Sequence, residues 1–292
     1  MANNGWKIPL TSIGRTIDLS YPTNLAIVLV SLAAFAGGVW TMMMRGESFL
    51  AAALASLAWA GGVFLSWALA RELDPDRWYS AFFAAAGALV AAAIYAPPEL
   101  LLLFWYLITL RFINRSTGVA PGWIDVIGYC GVSIWLGMSI HWAIPLLALP
   151  ALGLIEPKRF PPPIPFLLMV GIPITSFAFG HLQHWQVAWL HWPENRTEIW
   201  ILTVLVLTAA PVIHAYRVTR SVADRIDRPL EPRRIQWTLS WALGASVLLS
   251  VGFGISVPIL APVWAALAGT ALGWGLERLR PLVGRGSRKQ PR

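Results

Sequence analysis

Long apolar stretches follow one another along the chain between residues 24 and 276, and no long polar interval separates them. A helix needs about 20 predominantly apolar residues to cross the hydrocarbon core of a bilayer. Ten stretches approach or reach this length, at residues 24–44, 49–70, 78–95, 98–113, 123–138, 141–155, 163–180, 198–216, 236–256 and 258–276. We therefore predict an all-α polytopic integral membrane protein, a bundle of about ten transmembrane helices.

The composition excludes a soluble domain with a membrane anchor. Of the 292 residues, 57% are hydrophobic and only 12% are charged, whereas soluble domains contain about 25% charged residues. Residues 1–292 are therefore predicted to form a single transmembrane domain. Cys130 is the one cysteine of the chain, so an internal disulfide and a thiolate metal cluster are both excluded.

Several of the predicted helices are short. The four stretches between residues 78 and 155 have fewer residues than a full span requires, so their helices could be tilted little, thin the bilayer locally or form re-entrant hairpins. The stretches 123–138 and 141–155 could also be one broken helix, which would reduce the number of spans to nine.

The distribution of positive charges predicts the orientation of the chain in the membrane. Six arginines lie between residues 217 and 234, and the segment 277–292 is also rich in basic residues. Such clusters indicate the cytoplasmic side and contact with anionic lipids. We predict a bacterial inner (plasma) membrane protein with a cytoplasmic N-terminal segment, 1–23, and a basic cytoplasmic tail, 277–292. Membrane-protein partners are possible on this interpretation, and nucleic acid is not an expected partner.

A dense charged stretch, "RELDPDR", follows the second apolar segment. Asp74 and Pro75 are typical of a helix start, as N-cap and first helical residue. Asp76 would then lie in the first helical turn, and Glu72 is left without such an explanation. The alternative is that Glu72, Asp74 and Asp76 bind a metal ion, for which Mg²⁺ is the candidate.

A second polar set closes the fourth segment in "LRFINRSTG". Arg111, Asn114 and Arg115 share one helix face by their spacing, Gly118 is a plausible helix stop, and Asp125 begins the fifth segment. Arginine forks bind phosphate oxygens, and Mg²⁺ usually bridges carboxylates and substrate phosphates. We therefore predict a phosphate-binding site. The competing interpretation is that the two loops form salt bridges that tie short helices together.

The layout of this side resembles that of the membrane prenyltransferases of the UbiA type. These enzymes have an aspartate-rich cytoplasmic motif after the second helix and another one later, for which "ELDPD" and "DRID", Asp224 to Asp227, could be offered. However, "ELDPD" lacks the Asn-Asp pair and the spacing of the family's first motif. The second motif of the family also falls in an earlier loop. The resemblance is therefore one of layout and assigns no family.

Two further patterns have simpler explanations. Gly269 and Gly273 form a GxxxG pair, which we expect to pack inside the bundle rather than to form a dimer seam. His181, His184 and His191 share a helix side with tryptophans beside them. We predict an interfacial amphipathic helix there, without a tightly bound metal or haem.

These patterns predict a function only at the level of substrate chemistry. The first hypothesis is an enzyme or carrier that acts on a phosphate-bearing lipid or polyprenyl-type substrate at the cytoplasmic interface. A non-catalytic subunit of a larger membrane complex is the alternative. A facilitative transporter is the third hypothesis. Charged residues are absent from the middle of the apolar stretches, which disfavours an ion-coupled transporter but does not exclude a facilitator.

Overall fold

The computed structural model describes residues 11, 13–14, 17–154, 167–178 without 169, 173 and 176, 196–226 and 228–284. These residues are mainly helical, and the extended backbone among them pairs in one isolated bridge, Val222 with Pro229. The helices are α1 (Pro22–Met44), α2 (Phe49–Leu73), α3 (Trp78–Ile94), α4 (Leu100–Asn114), α5 (Trp123–Ser139), α6 (Ile144–Gly153), α7 (Arg196–Ala215), α8 (Pro232–Val247) and α9 (Ala261–Gly284). A π-helical turn, Leu248–Gly252, extends α8, and further helical residues lie within 167–178.

The apolar helices support the predicted membrane-protein class. Four of them are long and apolar enough to cross a membrane: α1, α2, Glu198–Ala215 and Pro232–Gly252. The helices α3 to α6 are shorter, as the apolar stretches predicted. With 10 residues, α6 is about 15 Å long, half the thickness of the hydrocarbon core, so it is too short to cross a bilayer alone.

Two local predictions about helix ends were wrong. Asp74 does not start α3: it is the C-cap of α2, and α3 begins only at Trp78. Its carboxylate binds side chains of other segments instead of the backbone of α3. The helix α4 ends at Asn114, before Gly118, and its C-cap Arg115 has the left-handed φ of 53°.

The stretches 123–138 and 141–155 form two helices rather than one broken helix. A turn at residues 140–143 separates α5 from α6. The carbonyl of Leu154, just after α6, accepts a hydrogen bond of 3.0 Å from Arg115, just after α4. The end of α6 therefore returns to the end of the bundle where α4 stops and α5 begins.

The ends of most helices converge in one polar layer, which we call the polar end. It comprises the ends of α2, α4, α6, α7 and α9, the starts of α3, α5 and α8, and residues 11, 13 and 14. Side-chain hydrogen bonds join these parts to one another. Arg77, Arg111 and the described arginines between 217 and 234 therefore lie at the same end of the bundle, as their charges predicted.

Gly269 and Gly273 pack inside the bundle, against α3. A Cβ atom at Gly269 would lie 2.5 Å from the Ser80 carbonyl oxygen, and one at Gly273 would overlap Ser80 Oγ. Small residues allow such close helix contact in lipid, where no hydrophobic drive between helices exists. A Cβ atom at Gly275, on the same helix, would meet no neighbour within 4 Å.

We expect Gly273→Ala to destabilise the protein by about 1–3 kcal/mol, the usual effect of overpacking, because Ser80 must move away from α9. Gly275→Ala is the matched control and should be at least as stable as the wild type, since helices favour alanine over glycine. Thermal unfolding in detergent, followed by tryptophan fluorescence, measures both. Equal midpoints for the two variants would contradict this packing.

Candidate functional site

Glu72 connects α2 to α4. Its side chain is 1% exposed, and its Oε1 accepts a hydrogen bond of 3.0 Å from Arg111 Nε. Its backbone carbonyl accepts a second one, of 3.1 Å, from Asn114 Nδ2. Arg111 and Asn114 therefore share one face of α4, as predicted. This face contacts α2, and its hydrogen bonds fix the two helices to each other.

Asp74 is the centre of a buried cluster at the polar end. Its Oδ2 accepts a hydrogen bond of 2.5 Å from Ser80, and its Oδ1 accepts from the Tyr216 hydroxyl and from Arg77, the latter over 3.0 Å. Arg77 also donates to Glu277. The cluster therefore joins the α2–α3 turn to the ends of α7 and α9.

Burial and polar partners shift the pKa values of Asp74 and Arg77 in opposite directions. Burial raises the pKa of the Asp74 carboxyl above its usual range, although the donors Ser80, Tyr216 and Arg77 oppose the rise. Burial disfavours the charge on Arg77, but the neighbouring Asp74 raises the pKa of Arg77 overall. Arg77 therefore remains charged, and the cluster depends on it as the counter-ion.

Asp76 holds the loop before α8. The backbone N–H groups of Arg220 and Ser221 donate to its carboxylate, and Ser221 Oγ adds a bond of 2.7 Å. This loop folds back as a short hairpin, 219–230, in which Thr219 Oγ1 donates to the Leu230 carbonyl over 2.5 Å. The turn at 74–77 thus positions both the buried cluster and the hairpin.

Residues 11, 13 and 14 lie between the hairpin and α5. Arg225 donates to the carbonyls of Thr11 and Gly14, at 2.9 and 2.7 Å, and Thr11 Oγ1 donates to Asp125. Asp125 also accepts from the Gly122 N–H, over 2.9 Å, at the start of α5. Asp125 therefore binds Thr11 to the start of α5.

Arg115, the last of the predicted residues, lines a cavity of about 250 Å³ together with Asn114. Gly118 and Ala120 line it on the same side, and residues 223 and 228–230 of the hairpin and the start of α8 enclose it. Gly118 has φ of 78°, and a Cβ atom there would overlap the Ile226 side chain. Glycine at 118 therefore allows the hairpin to approach the end of α4.

Three arginines line this cavity, and we call it the arginine pocket. They are Arg115, Arg228 and Arg234, and Glu231 is the one carboxylate among the described lining residues. Glu231 accepts from Arg228 over 2.6 Å and from Arg234 over 3.2 Å. Arg234 is also held by the Ile113 carbonyl, at 3.0 Å.

The backbone at Arg115 is unusual. Arg115 is the one non-glycine residue with positive φ among the described residues. A helix end of this kind favours glycine or asparagine. The left-handed conformation is less favourable by roughly 1–2 kcal/mol for an L-residue with a Cβ atom. An arginine at this position therefore suggests a role for the side chain beyond ending the helix.

The site prediction from sequence found only part of the pocket. Arg228, Glu231 and Arg234 were missed as site residues, because the arginines between 217 and 234 were interpreted as a signal of orientation and lipid contact. Gly118 was the available signal, since a glycine beside "NRST" indicates close approach of another segment. Sequence alone did not identify that segment.

The predicted metal ligands do not meet at one point. Glu72, Asp74 and Asp76 bind Arg111, the Arg77 cluster and the hairpin backbone, respectively. Across the described ranges, no group of three histidine, cysteine, aspartate or glutamate side chains could hold a metal ion. The Mg²⁺ site stays a prediction without geometric support.

His181, His184 and His191 lie outside the described residues, and so does Asp227 of "DRID". Asp224 lies at the hairpin, where its N–H donates to the Ser116 carbonyl over 3.1 Å. The chain matches no protein-family model, no curated protein and no solved structure. The function must therefore be argued from the geometry of the polar end.

We expect Asp74→Asn to lower the free energy of unfolding by about 1–3 kcal/mol, because an amide leaves at least one buried donor of the cluster without an acceptor. Asp18→Asn makes the same chemical change at an exposed residue and should have little effect. Denaturant unfolding in detergent measures both. Wild-type stability of Asp74→Asn would refute the structural role of the cluster.

Proposed function

We propose that this protein is a polytopic inner-membrane protein that binds a phosphate-bearing lipid at the polar end, as an enzyme or carrier, with the phosphate in the arginine pocket. The observation on which the proposal rests is the convergence of Arg115, Arg228 and Arg234 on one cavity. Guanidinium groups bind phosphate oxygens through paired N–H donors, and arginine is the side chain best suited to this geometry.

The dimensions of the cavity support a headgroup site. Drug-sized ligands occupy pockets of roughly 300–1,000 Å³, whereas the arginine pocket measures about 250 Å³. It suits a phosphate-containing headgroup, and the acyl or prenyl chains of the lipid would remain in the bilayer beside the bundle.

The proposal includes an orientation. We place the polar end at the cytoplasmic face, with both termini cytoplasmic and ten membrane-spanning segments in a bacterial inner membrane. The basic residues at the polar end support this orientation, because cytoplasmic loops are enriched in arginine and lysine. Anionic lipids would be concentrated at that face, which would bring a phosphate-bearing ligand close to the pocket.

One observation favours the alternative, a non-catalytic subunit of a membrane complex. The helix α1 exposes large apolar side chains along most of its length, and Ile27 is its one buried residue. Such a face suits lipid or another membrane protein. This alternative predicts co-purification of a partner that Leu29→Trp or Leu32→Trp would displace.

We expect Arg115→Lys to weaken the binding of phosphatidic acid at least about tenfold, or about 1.4 kcal/mol. Lysine keeps the charge and the backbone conformation but has no planar fork. Arg233→Lys is the matched control, since Arg233 is exposed and does not line the pocket. Native mass spectrometry of both variants in nanodiscs measures lipid binding. Unchanged binding by Arg115→Lys would refute the pocket as the phosphate site.

The orientation has its own test. With Cys130 replaced by serine, we expect Glu47→Cys to react with an impermeant maleimide in intact cells and Val218→Cys to react only after lysis. Both positions are exposed. Glu47 precedes the start of α2, and Val218 follows the end of α7 at the polar end, so the two lie at opposite ends of the bundle. Labelling of Val218→Cys in intact cells would reverse the proposed orientation.

A further inference from the structure

We propose that Glu231 is a positioning residue of the arginine pocket: its carboxylate holds the side chains of Arg228 and Arg234 in the conformations in which they bind the phosphate. This inference rests on the proposed function and adds the residue that arranges the site. Three observations carry it: the hydrogen bonds of Glu231, the guanidinium nitrogens that these bonds leave unused, and the restrained backbone around Glu231.

Glu231 uses both of its carboxylate oxygens on arginines of the pocket. Its Oε1 accepts a hydrogen bond of 2.6 Å from Arg228 Nη2, and its Oε2 accepts one of 3.2 Å from Arg234 Nε. Glu231 is also the N-cap residue of α8, but its side chain makes no cap hydrogen bond to the helix backbone. The carboxylate therefore binds the two arginines and not the helix start.

The bonds to Glu231 occupy only part of each guanidinium group. Arg234 also donates from Nη1 to the Ile113 carbonyl over 3.0 Å, which leaves its Nη2 without a partner among the described residues. Arg228 donates from Nη2 alone within the described part of the chain, so its Nε and Nη1 are unused there. Both arginines line the cavity. Their unused N–H groups are therefore available to phosphate oxygens.

The backbone around Glu231 is restrained. In "RPLEPRR", Pro229 and Pro232 flank the pair of Leu230 and Glu231, and each proline fixes its own φ angle. Leu230 is buried, and its N–H donates to the Ser221 carbonyl over 3.0 Å. Glu231 thus lies on a fixed part of the chain, three residues from each of the two arginines.

Positioning matters most for Arg228. Its side chain is 65% exposed, whereas the Arg234 side chain is 16% exposed. An exposed arginine that nothing holds occupies many rotamers, and ordering it on binding lowers the affinity for the ligand. The bond to Glu231 orders Arg228 before the phosphate arrives, so this loss does not fall on the binding step.

The test measures the binding of phosphatidic acid by native mass spectrometry in nanodiscs of a zwitterionic lipid. Glu231→Gln preserves the size of the side chain, but one acceptor oxygen becomes an NH₂ donor, so at most one arginine stays held. We expect binding to weaken about threefold to tenfold, the effect of ordering one long side chain on binding. A glutamate that only repelled the phosphate would give the opposite result, because removal of its charge would tighten binding.

Glu99→Gln is the matched control. Glu99 is also an exposed N-cap glutamate without a side-chain cap hydrogen bond, but it precedes α4 at the other end of the bundle. This variant should bind phosphatidic acid as the wild type does. Glu231→Gln should keep the thermal unfolding midpoint of the wild type, because exposed ion pairs contribute little to stability. Weaker binding that came with a lowered midpoint would overturn the positioning role in favour of a structural one.

A double-mutant cycle locates the effect on Arg228. Arg228→Gln should weaken binding clearly in the wild type and much less in the Glu231→Gln background, because an arginine that is no longer held contributes less to binding. Two residues that act as a unit give such non-additive effects. Additive effects of the two changes would overturn the inference.

The soluble probe glycerol 3-phosphate separates a lipid headgroup from a free phosphate. If it displaces phosphatidic acid from the wild type, free phosphate is a ligand of the same pocket, and Glu231→Gln must weaken the binding of both. Unchanged or tighter binding by Glu231→Gln, together with weakened binding by Arg115→Lys, would overturn the positioning role and leave the proposed function intact. A wild type that binds neither probe would overturn both.

Discussion

Every charged group that a membrane domain removes from water needs a partner, because ionised side chains are strongly destabilising in a low-dielectric environment. This chain meets the requirement by placing its charges at helix ends and pairing them across one end of the bundle. Glu72 and Asp74 are buried and bound to arginines, and Asp76 binds backbone N–H groups. The order of the helices at the polar end depends on these pairs.

The same requirement distinguishes structural charges from candidate ligand-binding charges. The carboxylates of the "ELDPD" stretch are bound within the chain, two by arginines and Asp76 by neutral donors. This agrees with the interpretation that the loops tie short helices together. The arginine pocket differs in its lining, because Arg115, Arg228 and Arg234 face one cavity together with Glu231. Several guanidinium groups at one cavity are the feature on which the proposed phosphate site rests.

The sequence predicted the helices well and the site only in part. Apolar stretches have a direct physical cause, the thickness of the bilayer, so the limits of α1 to α5 agree with prediction to within a few residues. Asp74 was misinterpreted because local capping rules ignore Tyr216, which is 142 residues away. Arg228 and Arg234 were missed because the fold of the hairpin, and not sequence spacing, brings them to Arg115. Partners that are distant in sequence leave no local pattern.

The attachment of the N-terminal segment has a consequence for biogenesis. Thr11 and Gly14 are held by Arg225, more than 200 residues later in the chain. Thr11 also donates to Asp125, and this contact can form once α5 is in place. Arg225, in contrast, has not yet been synthesised when the first helices leave the ribosome and enter the membrane. The hydrogen bonds of the polar end can therefore be completed only after most of the helices have been inserted. Its assembly is a late, post-insertion step, and a truncated chain that ends before the hairpin would insert without completing it.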